Sequence, residues 1–425
     1  MRPRLLIVSP HFPPANAPDM QRVRVSLPYF VAAGWDVTVL TVNDPTPTAP
    51  LEPELEATVP AGVRVERAHC LSRRWTGWFG LNNVALRALP FLFRAGCRLL
   101  AGRRYDVVYF STTMFIVLPF GRIWKMLYGV PYVIDLQDPW ISDYYDRPGA
   151  PRPPGGWKYS VAQGLGRALE GWTMRGVSHL IVVSQKYLDA LRARYPELRG
   201  TPGTELPFGS PDPDLRRAGE RMASRAPLLP PGGVRLAFAG ALSPGMLVAV
   251  ETLFAGLAVA RAAGVPVSVH FFGTSYSSAT AAPATLALAA QYGVGDCVRE
   301  SPGRLRYFDA LQVALEAEAN LLFGSTELAF TPSKTLALLA AGRPVIALAP
   351  EGSALIGRLA GLGQTCVVFP ASGPDATSRH QIANLLRALA DGKLGEAPAV
   401  RAGNFGAQAC AERQLEILAS VSRRD

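Results

Sequence analysis

The sequence predicts an α/β fold of two domains, each built on a parallel sheet with helices on both faces. Its 425 residues are about twice the length at which one hydrophobic core stops growing. Short apolar, β-rich segments alternate with stretches long enough for helices, and this alternation occurs in two series. Because alternating strands and helices form parallel sheets, each series predicts one domain. Nearly half of the residues are hydrophobic and 18% are charged, as in globular proteins.

The first series occupies residues 1–205. Its strand segments read RLLIVSP, WDVTVLT, VRVERA, YDVVYFS, PYVIDLQ and HLIVVS. The apolar run near the N-terminus is interrupted by Pro10 and His11, so it is too short for the core of a signal peptide and predicts the first strand.

Residues 195–233 form a proline- and glycine-rich stretch, with PELRGTPG, SPDPDL and APLLPPGG. This stretch predicts an interdomain connection, and we place the linker at residues 206–232. The second series follows over residues 233–400, with VRLAFAG, VSVHFFG, CVRESPG, ANLLFGS, PVIALA and TCVVF. For residues 401–425 we predict a terminal helix, and we expect it to pack back toward the N-terminal domain. Two such Rossmann-like domains would face each other across a cleft, with ligands at the carboxyl ends of the strands.

The five cysteines lie singly and form no C-x-x-C pair, so neither a disulfide framework nor a cysteine metal site is predicted. This pattern favours the cytoplasm. Arg122 and Lys125 interrupt the most apolar region, and no stretch reaches the roughly 18 apolar residues of a membrane span. We therefore expect a cytoplasmic protein that does not cross a membrane.

The formal net charge of +10 is concentrated in residues 71–130, which hold nine basic residues, one acidic residue and twelve aromatic residues. Arginine mixed with aromatic side chains suits an anionic membrane surface, and nucleic acid is the alternative partner. We favour the inner face of the cell membrane and no nucleic acid.

An amphipathic helix over residues 83–100 is the predicted contact surface. The expected apolar stripe is Leu86, Leu89, Phe93, Cys97 and Leu100, and the basic stripe is Arg87, Arg94 and Arg98, followed by Arg103 and Arg104. In the alternative interpretation the apolar residues pack on the sheet and the arginines face water.

Four stretches carry a resemblance to a known family. They are SPHFPPANAPDMQRVR with AAGWDVTVLT, PYVIDLQDPW, SPGRLRYFDALQVALEAEANLLF and TPSKTLALLAAGRPVIAL. In this order they resemble the family 4 retaining glycosyltransferases of bacterial glycan biosynthesis. The resemblance implies the GT-B architecture and transfer of a sugar from a nucleotide diphosphate donor to a membrane-proximal or lipid-linked glycan acceptor. It implies neither a metal nor another cofactor. A nucleotide-sugar epimerase of the same architecture and a non-catalytic GT-B scaffold are the alternatives.

The last of these stretches resembles the family's donor-site helix. Thr331, Pro332 and Ser333 predict a capped helix start, and Gly342 predicts its end. A helix N-terminus with a lysine beside it suits a diphosphate, so Lys334 is a candidate cation together with Arg304 of SPGRLRY. The glycines at two strand ends, Gly240 and Gly273, complete the predicted donor site.

The sequence also departs from the family. Where the family has two glutamates eight positions apart, this chain has Ala329 and Ala337. Glu327, two residues before the first, is the remaining candidate for a sugar contact and is placed with the catalytic residues.

For the acceptor side, Asp135 and Asp138 follow a predicted buried strand, and the family's histidine corresponds most nearly to Gln137. Asp138 is the leading catalytic candidate, and a turn-capping aspartate is the alternative. His11 and Arg22 flank the first loop, where Arg22 could meet a phosphate. The D-x-D of Asp212 and Asp214 encloses a proline in the linker, so we interpret it as a turn and predict no metal site.

Overall fold

The computed structural model describes residues 2–79, 82–102, 104–141, 157–275, 284–328, 330–364, 366–394 and 405–422. The chain divides into two compact units. The first comprises residues 1–209 and 407–425, and the second comprises residues 210–406.

The first unit contains a seven-stranded sheet in the order β3-β2-β1-β4-β5-β6-β7, and all of its strand pairs are parallel. The strands are β1 (Arg4–Val8), β2 (Asp36–Asn43), β3 (Arg64–His69), β4 (Val107–Ser111), β5 (Tyr132–Leu136), β6 (His179–Val182) and β7 (Gly203–Glu205). The strand order reverses between β1 and β4, which is where a doubly wound sheet opens a ligand crevice at its carboxyl edge.

Helices cover both faces of this sheet: α1 (Gln21–Ala32), α2 (Pro53–Glu56), α3 (Arg73–Thr76), α4 (Val84–Gly102), α5 (Pro119–Tyr128), α6 (Trp157–Met174), α7 (Gln185–Arg194) and α15 (Ala407–Val421). Alternate residues of a strand point to opposite faces. Leu6 and Val8 of β1 accordingly pack in the core with α4 and α5. Leu5 and Ile7 pack with α1 and α15. The C-terminal helix α15 thus belongs to the first unit.

The second unit contains a six-stranded parallel sheet in the order β10-β9-β8-β11-β12-β13. Its strands are β8 (Val234–Ala239), β9 (Val267–Phe272), β10 (Val298–Ser301), β11 (Ala319–Phe323), β12 (Val345–Pro350) and β13 (Val367–Phe369), and its helices are α8 (Asp212–Met222), α9 (Leu247–Ala262), α10 (Ala284–Gln291), α11 (Tyr307–Glu316), α12 (Thr335–Ala340), α13 (Ala354–Gly361) and α14 (Ala376–Ala390). The order reverses between β8 and β11.

One helical stretch among the described residues, Pro244–Ala262, is long and apolar enough to cross a membrane by length and composition. It is weak evidence for a span, because 56% of the window is buried. Val250, Leu253 and Leu257 of α9 are fully buried in the core of the second unit.

The predicted fold class is confirmed: the structure has two parallel sheets, and each predicted strand segment contains a strand. The structure differs within residues 206–232, which were predicted to be a linker, because α8 lies there and belongs to the second unit. Strand β7 was not predicted. It has only three residues and follows Pro202.

The predicted basic stripe on α4 is wrong at Arg87. Its side chain is buried and donates to both carboxylate oxygens of Asp44, over 2.9 and 2.5 Å, and to the carbonyl of Leu71. This pairing raises the pKa of Arg87 above its ordinary value and lowers that of Asp44, although burial opposes both shifts. Arg87 therefore holds the loop after β2 against α4.

The rest of α4 fits the packing alternative better than the membrane interpretation. Its buried face includes Ala85, Ala88, Leu92 and Leu99, while Leu100 of the predicted stripe is also buried. Leu89, Phe93 and Cys97 pack partly against the same core. Leu86, Arg94, Arg98 and Arg104 are exposed, and Arg103 lies outside the described residues.

Candidate functional site

The carboxyl ends of β1, β4 and β5 bring a network of polar side chains together in the first unit. His11 follows β1, Ser111 ends β4 and Asp135 lies in β5. This is the reversal point of the sheet, where ligands bind in open α/β folds. His11 also lines a cavity whose wall includes Phe12, Asn43, Asp44, Thr48, Leu51 and Arg67.

His11 is paired with Asp19, a residue that the sequence analysis did not single out. The imidazole Nδ1 lies 2.9 Å from Asp19 Oδ1, and the two side chains are 15% and 3% exposed. The hydroxyl of Thr112 donates to Asp19 Oδ2 over 2.8 Å. The carboxylate is thus held from two sides and fixes the ring of His11.

Gln137 connects this pair to the core of the network. Its side-chain amide donates to the backbone carbonyl of Asp19 over 2.9 Å and to the Ser111 hydroxyl over 3.0 Å. Ser111 in turn donates to Asp135 Oδ2 over 2.7 Å. Gln137 is therefore a buried link that positions the turn carrying Asp19.

Arg22 and Asp135, which were predicted to contact the acceptor, form a buried ion pair with 3.0 Å between Arg22 Nε and Asp135 Oδ2. Arg22 is 6% exposed and Asp135 is fully buried. Arg22 also donates to the carbonyl of Leu206 over 2.8 Å and lies over the ring of Phe208. The structure thus gives both residues a positioning role.

Asp138, the leading catalytic candidate, lies just after β5 and is exposed. Desolvation of its carboxyl by the surrounding protein, and then the negative charge of Asp19, raise the pKa of Asp138. Among the described residues its side chain has no hydrogen-bond partner, so those residues provide no capping contact. A carboxyl with a raised pKa at a strand end is a common feature of functional sites.

We expect Asp138→Asn to lower turnover by about tenfold or more without loss of stability. A raised pKa in the folded chain means that the contribution of Asp138 to stability falls as the pH rises through that pKa. At neutral pH the charged carboxyl therefore disfavours folding, and its removal should leave the melting temperature unchanged or higher. Thermal unfolding and turnover should be measured together, with Asp189→Asn on the exposed face of α7 as control. Parallel losses of stability and activity would support the turn-capping interpretation.

In the second unit, the predicted donor-site residues Gly240, Gly273 and Arg304 follow β8, β9 and β10 at the same edge of the sheet. The backbone amide of Gly240 donates to Phe272, and that of Gly273 donates to Ser301. A Cβ atom on Gly273 would lie 3.5 Å from the Cα of Arg304. The structure therefore brings these three residues together, and Arg304 is exposed.

Lys334 joins this group. Its Nζ donates to the carbonyl of Ala239 over 2.9 Å and lies 3.5 Å from the centre of the Phe238 ring. Burial lowers the pKa of Lys334 to about 7. Gly240 has φ +153°, and a Cβ atom there would lie 2.7 Å from Nζ, so glycine at this position makes room for the lysine.

The helix after Lys334 begins later than predicted. Lys334 itself is the N-cap of α12, without a side-chain capping bond, and neither Thr331 nor Ser333 caps the helix. Thr335 donates its hydroxyl and its backbone amide to the carbonyl of Pro332, so residues 332–335 form a turn. The predicted end is confirmed, because Gly342 follows α12 with φ +72°.

Glu327 is exposed and lies four residues beyond the end of β11. Ala337 lies within α12, and Ala329 lies outside the described residues.

The D-x-D of the predicted linker lies in the first turn of α8. Asp214 there is buried and accepts a hydrogen bond from the Tyr307 hydroxyl. Within the described part of the chain, no cluster of three or more histidine, cysteine or acidic residues could hold a metal ion.

Residues 21–209 match the family model of the glycosyl transferase 4-like domain. No curated protein matches the chain. Among solved structures, the chain is similar to a sucrose-phosphate synthase from Thermosynechococcus elongatus (15% identity, 99% of each chain, TM-score 0.62) and to Anabaena HepE in complex with UDP (14% identity, 99% and 100% of the chains, TM-score 0.58). It is also similar to WaaG, a glycosyltransferase involved in lipopolysaccharide biosynthesis (15% identity, 98% and 99% of the chains, TM-score 0.56). At these identities the structural likeness shows the GT-B fold.

Proposed function

We propose that this chain, which carries a glycosyl transferase 4-like domain on a GT-B fold, transfers a sugar from a nucleotide diphosphate donor to a hydroxyl of a membrane-proximal or lipid-linked glycan acceptor. The second unit would bind the donor, and the first unit would bind the acceptor.

The observation that carries this proposal is the position of Lys334. The amine of this half-buried side chain lies at the carboxyl end of β8 beside Gly240, at the reversal point of the second sheet. Protonated lysine and arginine offset the charge of a leaving diphosphate. With Lys334 and the exposed Arg304 as cations, we propose that transfer needs neither a metal ion nor another cofactor.

Segment 71–78 of the first unit, most of whose residues are exposed, supports a membrane-proximal acceptor. Trp75 and Trp78 are 80% and 91% exposed, and the neighbouring Arg73 and Arg74 are exposed as well. The backbone amide of Arg73 donates to the hydroxyl of Thr46, on the same loop as the cavity-lining Pro47 and Thr48. The segment therefore lies next to the cavity that we assign to the acceptor.

Calorimetric titration with UDP and GDP, followed by turnover assays with the corresponding sugar donors, tests the proposal. HepE is described in complex with UDP, which makes UDP the first probe. A glycosyltransferase should bind at least one of these nucleotides and release it from its sugar donor. Conversion of UDP-N-acetylglucosamine to its 2-epimer would indicate the epimerase instead. Binding without turnover of any donor would indicate a scaffold.

A further inference from the structure

We infer that His11 is the general base that removes the proton from the acceptor hydroxyl and that Asp19 orients its ring. This inference rests on the proposed transfer activity. A carboxylate only accepts hydrogen bonds, so its 2.9 Å contact with Nδ1 places the proton of the neutral ring on Nδ1 and leaves the lone pair on Nε2. Among the described residues, none forms a hydrogen bond with Nε2.

The pair is held rigidly. Asp19 Oδ2 accepts from the Thr112 hydroxyl over 2.8 Å, and the Ser9 hydroxyl donates to the backbone carbonyl of His11 over 2.8 Å. Gln137 binds the carbonyl of Asp19. A base whose ring and orienting carboxylate are both fixed is the arrangement that proton transfer requires.

The other charged groups near His11 either have partners of their own or interact with Asp19. Asp44, on the cavity wall, is paired with the buried Arg87. Arg67, also on the wall, binds Glu56 and the carbonyl of Pro13. Asp138 lies within electrostatic range of Asp19, whose negative charge raises the pKa of Asp138. His11 is therefore the cavity-lining group with a nitrogen lone pair directed away from its partner.

In the proposed step, the hydroxyl proton of the acceptor passes to His11 Nε2. The acceptor oxygen forms a bond to the anomeric carbon of the donor sugar, and the bond from that carbon to the diphosphate oxygen breaks. The electron pair of that bond leaves with the nucleoside diphosphate. Asp19 stabilises the imidazolium, which then returns its proton to water.

The test compares the full-length chain with its His11→Gln and Asp19→Asn variants. Turnover is measured with UDP- and GDP-sugars as donors and with water or 4-nitrophenol as the acceptor. With water we expect kcat to fall by about 10²- to 10⁴-fold in His11→Gln, while UDP affinity changes by less than about twofold. In Asp19→Asn the amide can donate to Nδ1 and reverse the tautomer, so kcat should also fall.

The second acceptor separates catalysis from structure. An ionised phenol needs no base, so the loss in His11→Gln should be much smaller with 4-nitrophenol than with water. Nitrogen NMR of histidine-labelled chain should show His11 protonated on Nδ1 in the unchanged protein and on Nε2 in Asp19→Asn. His69→Gln, an exposed histidine at the end of β3, is the control.

Equal losses with both acceptors, unchanged turnover in His11→Gln, or an Nε2-protonated ring in the unchanged protein would overturn the inference and leave the proposed function standing. Nucleotide binding without any turnover would also overturn it. If the unchanged chain binds neither nucleotide and turns over no donor, the proposed function fails first.

Discussion

Lys334→Met should weaken binding of UDP or GDP, whichever the chain binds, by about tenfold to a hundredfold, because a hydrogen bond to a charged group contributes roughly 1.5 to 3 kcal/mol. The unchanged chain should also bind its donor less tightly as the pH rises. Only the ammonium form attracts a diphosphate, and the pKa of Lys334 in the free chain is about 7. Between pH 6 and 8 the ammonium fraction falls about tenfold, and affinity should follow it.

A sugar-linked donor such as UDP-glucose is the right probe for this pH dependence, since its diphosphate diester does not titrate between pH 6 and 8. Calorimetry in buffers of different ionisation enthalpy should detect uptake of nearly one proton on binding at pH 8. Lys393→Met, which removes an exposed lysine paired with Asp391, is the matched control.

Stability distinguishes this effect from misfolding. The pKa of Lys334 is lower in the folded chain than its ordinary value of 10.5. Between about pH 7 and 10.5 the amine of Lys334 is therefore protonated in the unfolded chain and neutral in the folded chain. The unchanged protein should therefore become more stable as the pH rises through that window. Lys334→Met should lack this rise and be at least as stable at pH 7. Unchanged affinity in Lys334→Met would refute the assigned donor site.

The strands could be predicted from the sequence because a buried parallel strand is apolar along its whole length, as in RLLIVSP and HLIVVS. The linker could not be delimited. Proline and glycine mark turns, but the helix α8 within that stretch is stabilised by contacts with α11, such as that of Asp214 with Tyr307. This contact joins residues that are 93 positions apart in the sequence.

The positions of some candidate donor-site residues could be predicted from the sequence, because they follow the predicted strands. Gly240 and Gly273 lie at strand ends that the alternation located, and the amine of Lys334 reaches the end of β8 from the N-cap of α12. The roles of Arg87 and Arg22 were not predictable, because their partners Asp44 and Asp135 are far away in the sequence. Asp19 gave a weak signal, because it lies in a single 3₁₀ turn, Pro18–Met20, with no repeating pattern around it.

Segment 71–78 replaces the predicted stripe on α4 as the proposed membrane surface, and two variants test it. Each arginine at an anionic leaflet contributes about 1 kcal/mol, so Arg73→Glu with Arg74→Glu should weaken vesicle binding about thirtyfold or more. A tryptophan side chain can bury about 150–250 Å² of surface, so burying half of it in the membrane contributes roughly 2 kcal/mol of binding free energy. Trp75→Ser with Trp78→Ser should therefore abolish detectable binding.

Co-sedimentation with vesicles of phosphatidylcholine, alone or mixed with phosphatidylglycerol, measures both effects. Binding should require the anionic lipid and weaken between about 0.1 and 1 M salt, where the screening length falls from about 10 to 3 Å. Arg379→Glu with Arg387→Glu, two exposed arginines of α14, makes the same charge change in the second unit and should leave binding nearly unchanged. Arg94→Glu with Arg98→Glu separates the two surfaces, because Arg98 is already paired with Glu66 and we expect a smaller loss. If the α4 variant loses binding while the tryptophan variant retains it, the membrane surface is α4 and segment 71–78 has another role.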